Sequence, residues 1–216
     1  MEKEIIQIQL AYFFKSVFSG NFEDFSLKLK QKLKIVNTLM LPIPSNAPNE
    51  IPRLSLDSEK YKINVVKNRL DIFAKDVESI INLIKNINDE VLNELKVEIV
   101  RIGFVKNYFI SGKIDEIKKI LNEKFQTLDL KEINIRITKT NIIKNYSCND
   151  IENVSNGTFI KNENEKEIRE EGLIILRDIN TTQNQKTFND IERNEIVGAF
   201  NDESEKFNLI ENICEK

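Results

Sequence analysis

Between Arg69 and Val105 the chain reads as strand, long amphipathic helix, strand, and this unit restricts the fold more than any other stretch. Val77, Ile80, Ile81, Ile84, Ile87, Val91, Leu92 and Leu95 recur at steps of three and four, which draws one apolar stripe along a helix of about five turns. Asp76 stands just before the first of them, where a carboxylate caps free N–H groups, and Glu78 lies in the first turn, where the helix dipole favours an acid. Glu78, Lys85, Asn86, Asp89 and Asn93 fall opposite the stripe. A helix of this size gains little alone, so the stripe requires a sheet to lie on. Leu70 and Ile72 alternate with polar neighbours as one face of a strand. Val97–Val105 is apolar on both faces and predicts a central strand covered from both sides.

The remaining elements hang on this unit. Residues 4–14 alternate, with Ile6, Ile8, Leu10, Tyr12 and Phe14 on one face and Gln7 and Gln9 on the other. Ser19-Gly20-Asn21 opens a helix whose apolar side is Phe22, Phe25, Leu29 and Leu33. Residues 41–52 hold all four prolines and form an extended connection, because proline lacks an N–H for a sheet ladder. Residues 53–57 and 60–66 alternate as strands. The parity change at Lys67-Asn68 fits either a tight turn or a bulge in one long strand, and the bulge is preferred.

Residues 1–108 thus run β, α, β, β, α, β, the order of a ferredoxin-like split βαβ unit. From residue 113, Ile114, Ile117, Ile120, Leu121 and Phe125 mark a third helix, and Ile133, Ile135 and Ile137 a strand. Residues 145–171 read as a turn-rich hairpin with a mobile acidic tip near 161–170. Gly172–Ile179 is a buried strand, and 188–214 one long helix or two in tandem, with Ser204 a cap for the second. The expected fold is α+β, an antiparallel or mixed sheet with helices on one face. It divides into a unit over 1–110 and a second over 111–216.

Histidine is absent, which removes serine–histidine and cysteine–histidine nucleophiles, imidazole bases and the usual zinc sets. Cys148 and Cys214 are too few for a disulfide framework and not spaced for a metal. The six glycines are isolated, so no glycine-rich loop cradles a phosphate. Neither a membrane span nor a signal peptide is legible, and a reducing cytoplasm is the expected compartment. No catalytic residue, cofactor or metal ligand emerges.

The segment KINVVKNRLDIFAKD, followed by EIVRIGFVKNYF, INIRITKTNII and GLIILRDIN, resembles a sporadically distributed prokaryotic protein family of uncharacterised function. The shared succession is a strand turning into a strand, a long helix, then strands carrying arginine and an acidic end. Members typically carry aromatic residues where this chain has only Phe73. The resemblance implies an α+β fold and a bacterial or phage setting, and supplies no catalytic residue.

Binding residues are the remaining candidates. Lys28, Lys30, Lys32 and Lys34 line one side of the first helix, as a solvated face or as a docking surface for phosphate. Lys67 and Arg69 flank a turn or bulge, where a guanidinium fork can meet an anion. Arg101 and Arg136 interrupt apolar strands and require either an ion-pair partner or an anion, with Asp71, Glu98 or Asp178 the expected carboxylates. Arg177 and Asp178 end a buried strand on opposite faces.

Charge is uneven: residues 1–145 hold 24 basic and 19 acidic side chains (+5), and residues 146–216 hold 8 and 16 (−8), summing to the net −3. Separated poles suit contact with a protein partner or mutual docking in a homodimer. The expectation is a non-enzymatic binding protein acting on a macromolecular partner, in a phage-defence, counter-defence or toxin–antitoxin module. The alternatives are a nucleic-acid binder using the basic half, and a carboxylate- or magnesium-dependent hydrolase.

Overall fold

A computed structural model describes residues 3–33, 37–44, 46–93, 96–112, 114–125, 130–163, 166–182, 186–207 and 209. Its strands are Glu4–Phe14 (β1), Asn37–Met40 (β2), Leu54–Asp57 (β3), Tyr61–Val65 (β4), Arg69–Ala74 (β5), Ile99–Ser111 (β6), Asn134–Ile143 (β7), Tyr146–Glu163 (β8) and Lys166–Thr181 (β9). Its α-helices are Phe22–Leu33 (α1), Val77–Asn86 (α2), Ile114–Phe125 (α3) and Asp190–Ser204 (α4). The strands form one sheet in the order β2-β3-β4-β5-β1-β6-β9-β8-β7, antiparallel at every junction. The fold is therefore α+β with a large antiparallel sheet, and its nine strands exceed the four of a split βαβ unit.

The period-two pattern decides which side chains meet the helices. Ile8, Leu10 and Tyr12 of β1 stand in register with Ala74, Ile72 and Leu70 of β5 and with Lys106, Phe104 and Ile102 of β6. On this face Phe25 and Leu29 of α1, Ile80, Leu83 and Ile84 of α2, and Ile196, Val197 and Phe200 of α4 close one apolar cluster. Farther along the same face, Ile117 and Leu121 of α3 close a second one with Tyr108, Ile110, Val154, Leu173 and Ile175. Both units expected from the sequence thus contribute strands to one sheet, and β6, long enough to run through both clusters, joins them.

Asp76 caps α2 as expected, accepting from the Ser79 N–H at 2.7 Å. The helix then continues as a π-helical turn over Ile87–Leu92, and the expected Leu95 lies outside the described residues. Several expectations are corrected. Lys67-Asn68 is no bulge: Val66 N–H bonds to the Arg69 carbonyl at 2.9 Å, and β4 folds back on β5 as a tight hairpin. The hairpin expected over 145–171 is present, but its arms are long strands: β8 pairs with β9 from Cys148/Thr181 to Glu163/Lys166. Cys148, Asp150, Glu152 and Val154 are buried on the helix side, and residues 164 and 165 of the expected tip lie outside the described residues. Ser204 ends α4, its hydroxyl donating to the Asn201 carbonyl at 2.7 Å, and residues 208 and 210–214 of the expected second segment lie outside the described residues. The second face of β6 is not covered by a helix among the described residues, and Arg101, Val105 and Asn107 there are half-buried.

Candidate interaction face

Every described helix packs on one side of the sheet, and the opposite side is built of rows of cross-strand neighbours. One row runs Arg69–Phe13–Arg101 across β5, β1 and β6. The next runs Asn64–Asp71–Ala11–Gly103–Asn180–Asn149–Thr140 from β4 to β7, and the one after it Lys62–Phe73–Gln9–Val105–Asp178–Ile151–Thr138. The small Ala11 and Gly103 make the middle of this surface shallow. A Cβ at Gly103 would meet Asn180 and Phe13 at 3.7 Å and Ala11 at 3.8 Å, ordinary van der Waals contact, so a methyl group would fit there.

Hydrogen bonds fix the side chains around that shallow. The Arg101 guanidinium lies 4.7 Å from the Phe13 ring centroid, and Arg69 lies 5.4 Å from the same ring. Arg101 Nη2 donates to Asn180 Oδ1 at 2.9 Å, and Asn180 Nδ2 donates to Asp178 Oδ1 at 3.1 Å. Arg69 Nε donates to Asp71 Oδ2 at 2.9 Å, while Gln9 Nε2 donates to its Oδ1 at 3.1 Å. Burial pushes the Asp71 carboxyl above its ordinary range, partly offset by Arg69 and Gln9. Arg101 Nε has no hydrogen-bond partner among the described residues.

Three candidates from the sequence, Arg69, Arg101 and Asp178, are therefore brought together. The partners differ from those expected: Arg101 bonds an amide, not Asp71, Glu98 or Asp178. Arg136 is exposed on the same face at β7, beside Asn153. Lys67 sits in the β4–β5 turn, its N–H bonded to the Asn49 carbonyl at 3.1 Å. Lys28, Lys30 and Lys32 stay on α1, on the other side of the sheet, and Lys34 lies outside the described residues. The lysine helix and the arginine cluster are thus separate surfaces.

Arg177 belongs to neither. It is fully buried on the helix side, where Nη2 meets Asp150 Oδ1 at 2.7 Å and Nη1 meets Glu152 Oε2 at 2.8 Å. Lys106, its cross-strand neighbour, is also buried and donates to Asn201 at 3.1 Å and to Glu205. Arg177 Nη2 further reaches the Glu203 carbonyl at 3.4 Å, and the Tyr108 hydroxyl donates to the Ser204 carbonyl at 3.2 Å. These carbonyls end α4, where a helix has no internal donors left, so the sheet supplies the missing partners and two positive charges at the negative end of the dipole. Burial raises Glu152, and burial also opposes the charge on Glu205. For Glu205 the hydrogen bonds from Lys106 and Lys3 win, holding its pKa at about 2. The arrangement is a helix anchor. Asp150 and Glu152 were missed because a hairpin reading of 145–171 sets no strand register, so which side chains face inward is fixed only by the pairing with β7 and β9.

Among the described residues no three acidic or cysteine side chains gather as a metal site. Burial pushes the Cys148 thiol up to about 11, so it is not a thiolate at neutral pH. No described helix is long and apolar enough to cross a membrane. No protein-family model and no curated protein sequence matches this chain.

Proposed function

We propose that this chain is a non-enzymatic binding protein that engages a protein partner across the sheet face that no described helix covers, centred on Phe13, Arg69, Arg101 and Asp178, with buried Asn180 holding Arg101 and Asp178 in place. The observation that supports this reading is the charge balance of the face. Lys62, Arg69, Arg101 and Arg136 are interspersed with Asp57, Asp71 and Asp178, and Arg69 and Lys62 lie against acids on the same face. A polyanion gains little from such a surface, whereas amides, hydroxyls and a few apolar side chains suit the mixed surface of another protein. The acidic C-terminal half and a defence or toxin–antitoxin setting belong to the same proposal.

The inner quartet β6-β1-β5-β4, with α1 between β1 and β4 and α2 between β5 and β6 in the chain, supports reading the first half as a ferredoxin-like unit with β2 and β3 inserted. On such a sheet a specific observation favours a second reading. Phe13 with two guanidiniums, and half-buried Phe73 nearby, are the residue types that stack single-stranded bases.

The deciding experiment is affinity capture from the native host, repeated with substituted bait. Val105→Glu and Arg101→Glu should each abolish recovery of the partner, and the pair Lys28→Glu, Lys30→Glu on α1 should leave it unchanged. The reverse pattern overturns the proposal. Filter binding of single-stranded oligonucleotides should show no retention at low salt. Retention with a steep log–log salt slope would replace the first reading by the second.

A further inference from the structure

The two edges of the sheet are unlike. β2 is four residues long and runs directly into the segment carrying Pro42 and Pro44, which cannot donate to an added strand. β7 is ten residues long, pairs regularly with β8 along its whole length, and has no strand on its other side among the described residues. It exposes Ile137 at 47% and Ile142 at 80%. No proline or bulge interrupts it.

The direction of its free backbone groups follows from the turn. Lys144 and Asn145 have φ of 51° and 68°, the two-residue turn in which the flanking pair Ile143/Tyr146 is hydrogen-bonded. Alternation then turns odd-numbered residues of β7 toward β8, and the carbonyl of Ile133, which accepts from the Asn156 N–H at 3.1 Å, has the same parity. Asn134, Arg136, Thr138, Thr140 and Ile142 therefore aim their N–H and C=O groups outward.

We infer that this edge pairs with β7 of a second copy of the chain, antiparallel about a two-fold axis at Thr138. Parity allows only registers that bring even-numbered residues opposite each other. Centring on Lys139 sets Lys139 against itself, centring on Arg136 sets Arg136 against itself, and centring on Thr140 sets Arg136 against Lys144. Like charges directly opposite are unfavourable. Centring on Ile137 shortens the overlap. Centring on Thr138 pairs Thr138 with Thr138, Arg136 with Thr140, Asn134 with Ile142 and Lys139 with Ile137, and so uses nearly the whole strand without a charge conflict. A two-fold contact is closed, so the edge is consumed and no fibre follows. Helix side meets helix side, and the two uncovered faces merge into one.

Sedimentation velocity of the full chain, from micromolar to near-millimolar concentration, tests this. The chain should form a reversible dimer. Thr138→Pro deletes one outward N–H per copy while sparing the β7–β8 ladder, and should weaken dimerisation by about tenfold or more. Thr138→Lys, a change confined to an exposed side chain, should do the same without touching the backbone. Mixing Thr138→Lys with Thr138→Glu chains should restore a heterodimer. A monomer throughout the range overturns the inference, and so does a dimer indifferent to both single substitutions. Unchanged circular dichroism of Thr138→Lys separates lost pairing from lost folding.

Discussion

Arg177 shows how much one side chain carries here. Removing it leaves Glu152 in the interior without its ion-pair partner, leaves Asp150 with Lys139 alone at 3.2 Å, and leaves the end of α4 short of a donor. Arg177→Met should lower stability by about 3–5 kcal/mol in urea unfolding, the usual effect of breaking a buried pair from one side. Replacing all three by apolar residues should recover much of the loss, since the ion cluster itself must overcome desolvation. Glu205 gives the pH signature. Its folded pKa of about 2 lies below the ordinary carboxylate value of 4.5. Its contribution is therefore complete above about pH 4.5 and disappears as pH falls toward 2. The stability gap between wild type and Glu205→Gln should be constant near neutrality and close over that interval. Because Glu205 is partly exposed, its size at pH 7 should be only about 1 kcal/mol. A gap that widened on acidification would contradict this assignment. Arg177 was legible in the sequence as a charge on a buried strand. Its partners were not, because they lie 25 and 27 residues away on β8 and become neighbours only through strand pairing.

Elements with a strong local code were readable in advance. The stripe from Val77 to Leu92 and the Asp76 cap specify α2 with no knowledge of the sheet. The alternation likewise marks β1, except that a register shift between Ile5 and Gln7 sets Ile5 rather than Ile6 against the apolar clusters. Asn189 and Glu192 form a reciprocal capping box at the start of α4, with side-chain to backbone bonds of 2.9 Å in both directions. Asn189→Ala should cost about 1 kcal/mol, measured by denaturant unfolding, with α4 amides the first to lose exchange protection. Where the local signal is weak, local reading found the hairpin over 145–171 but not the length of its strands. Residues 146–163 are rich in Asn, Ser and Glu and lack helical or clean apolar periodicity. They are a strand because β7 and β9 supply hydrogen bonds on both sides, not because their side chains prefer it. Lys67-Asn68 was open between bulge and turn for a similar reason, since parity alone does not say whether the chain reverses.

Across the whole molecule, stability should fall from the middle of the sheet to its margins. β1, β5 and β6 are paired on both sides beneath the larger apolar cluster, and β2 is short, exposed and terminal. Native-state hydrogen exchange should find the slowest amides in β1 and β6 and fast exchange in β2, with outward β7 amides slowing as concentration rises if the edge pairs. The sequence alone determined the α+β class, the principal strands and helices and the lack of imidazole chemistry, because periodicity, caps and composition act over a few residues. The nine-strand order, the uncovered face on which Phe13 meets Arg69 and Arg101, and the burial of Arg177 with Asp150 and Glu152 were decided by tertiary structure. Each depends on which strands lie side by side, and that is set by closing loops of tens of residues over shared apolar surface.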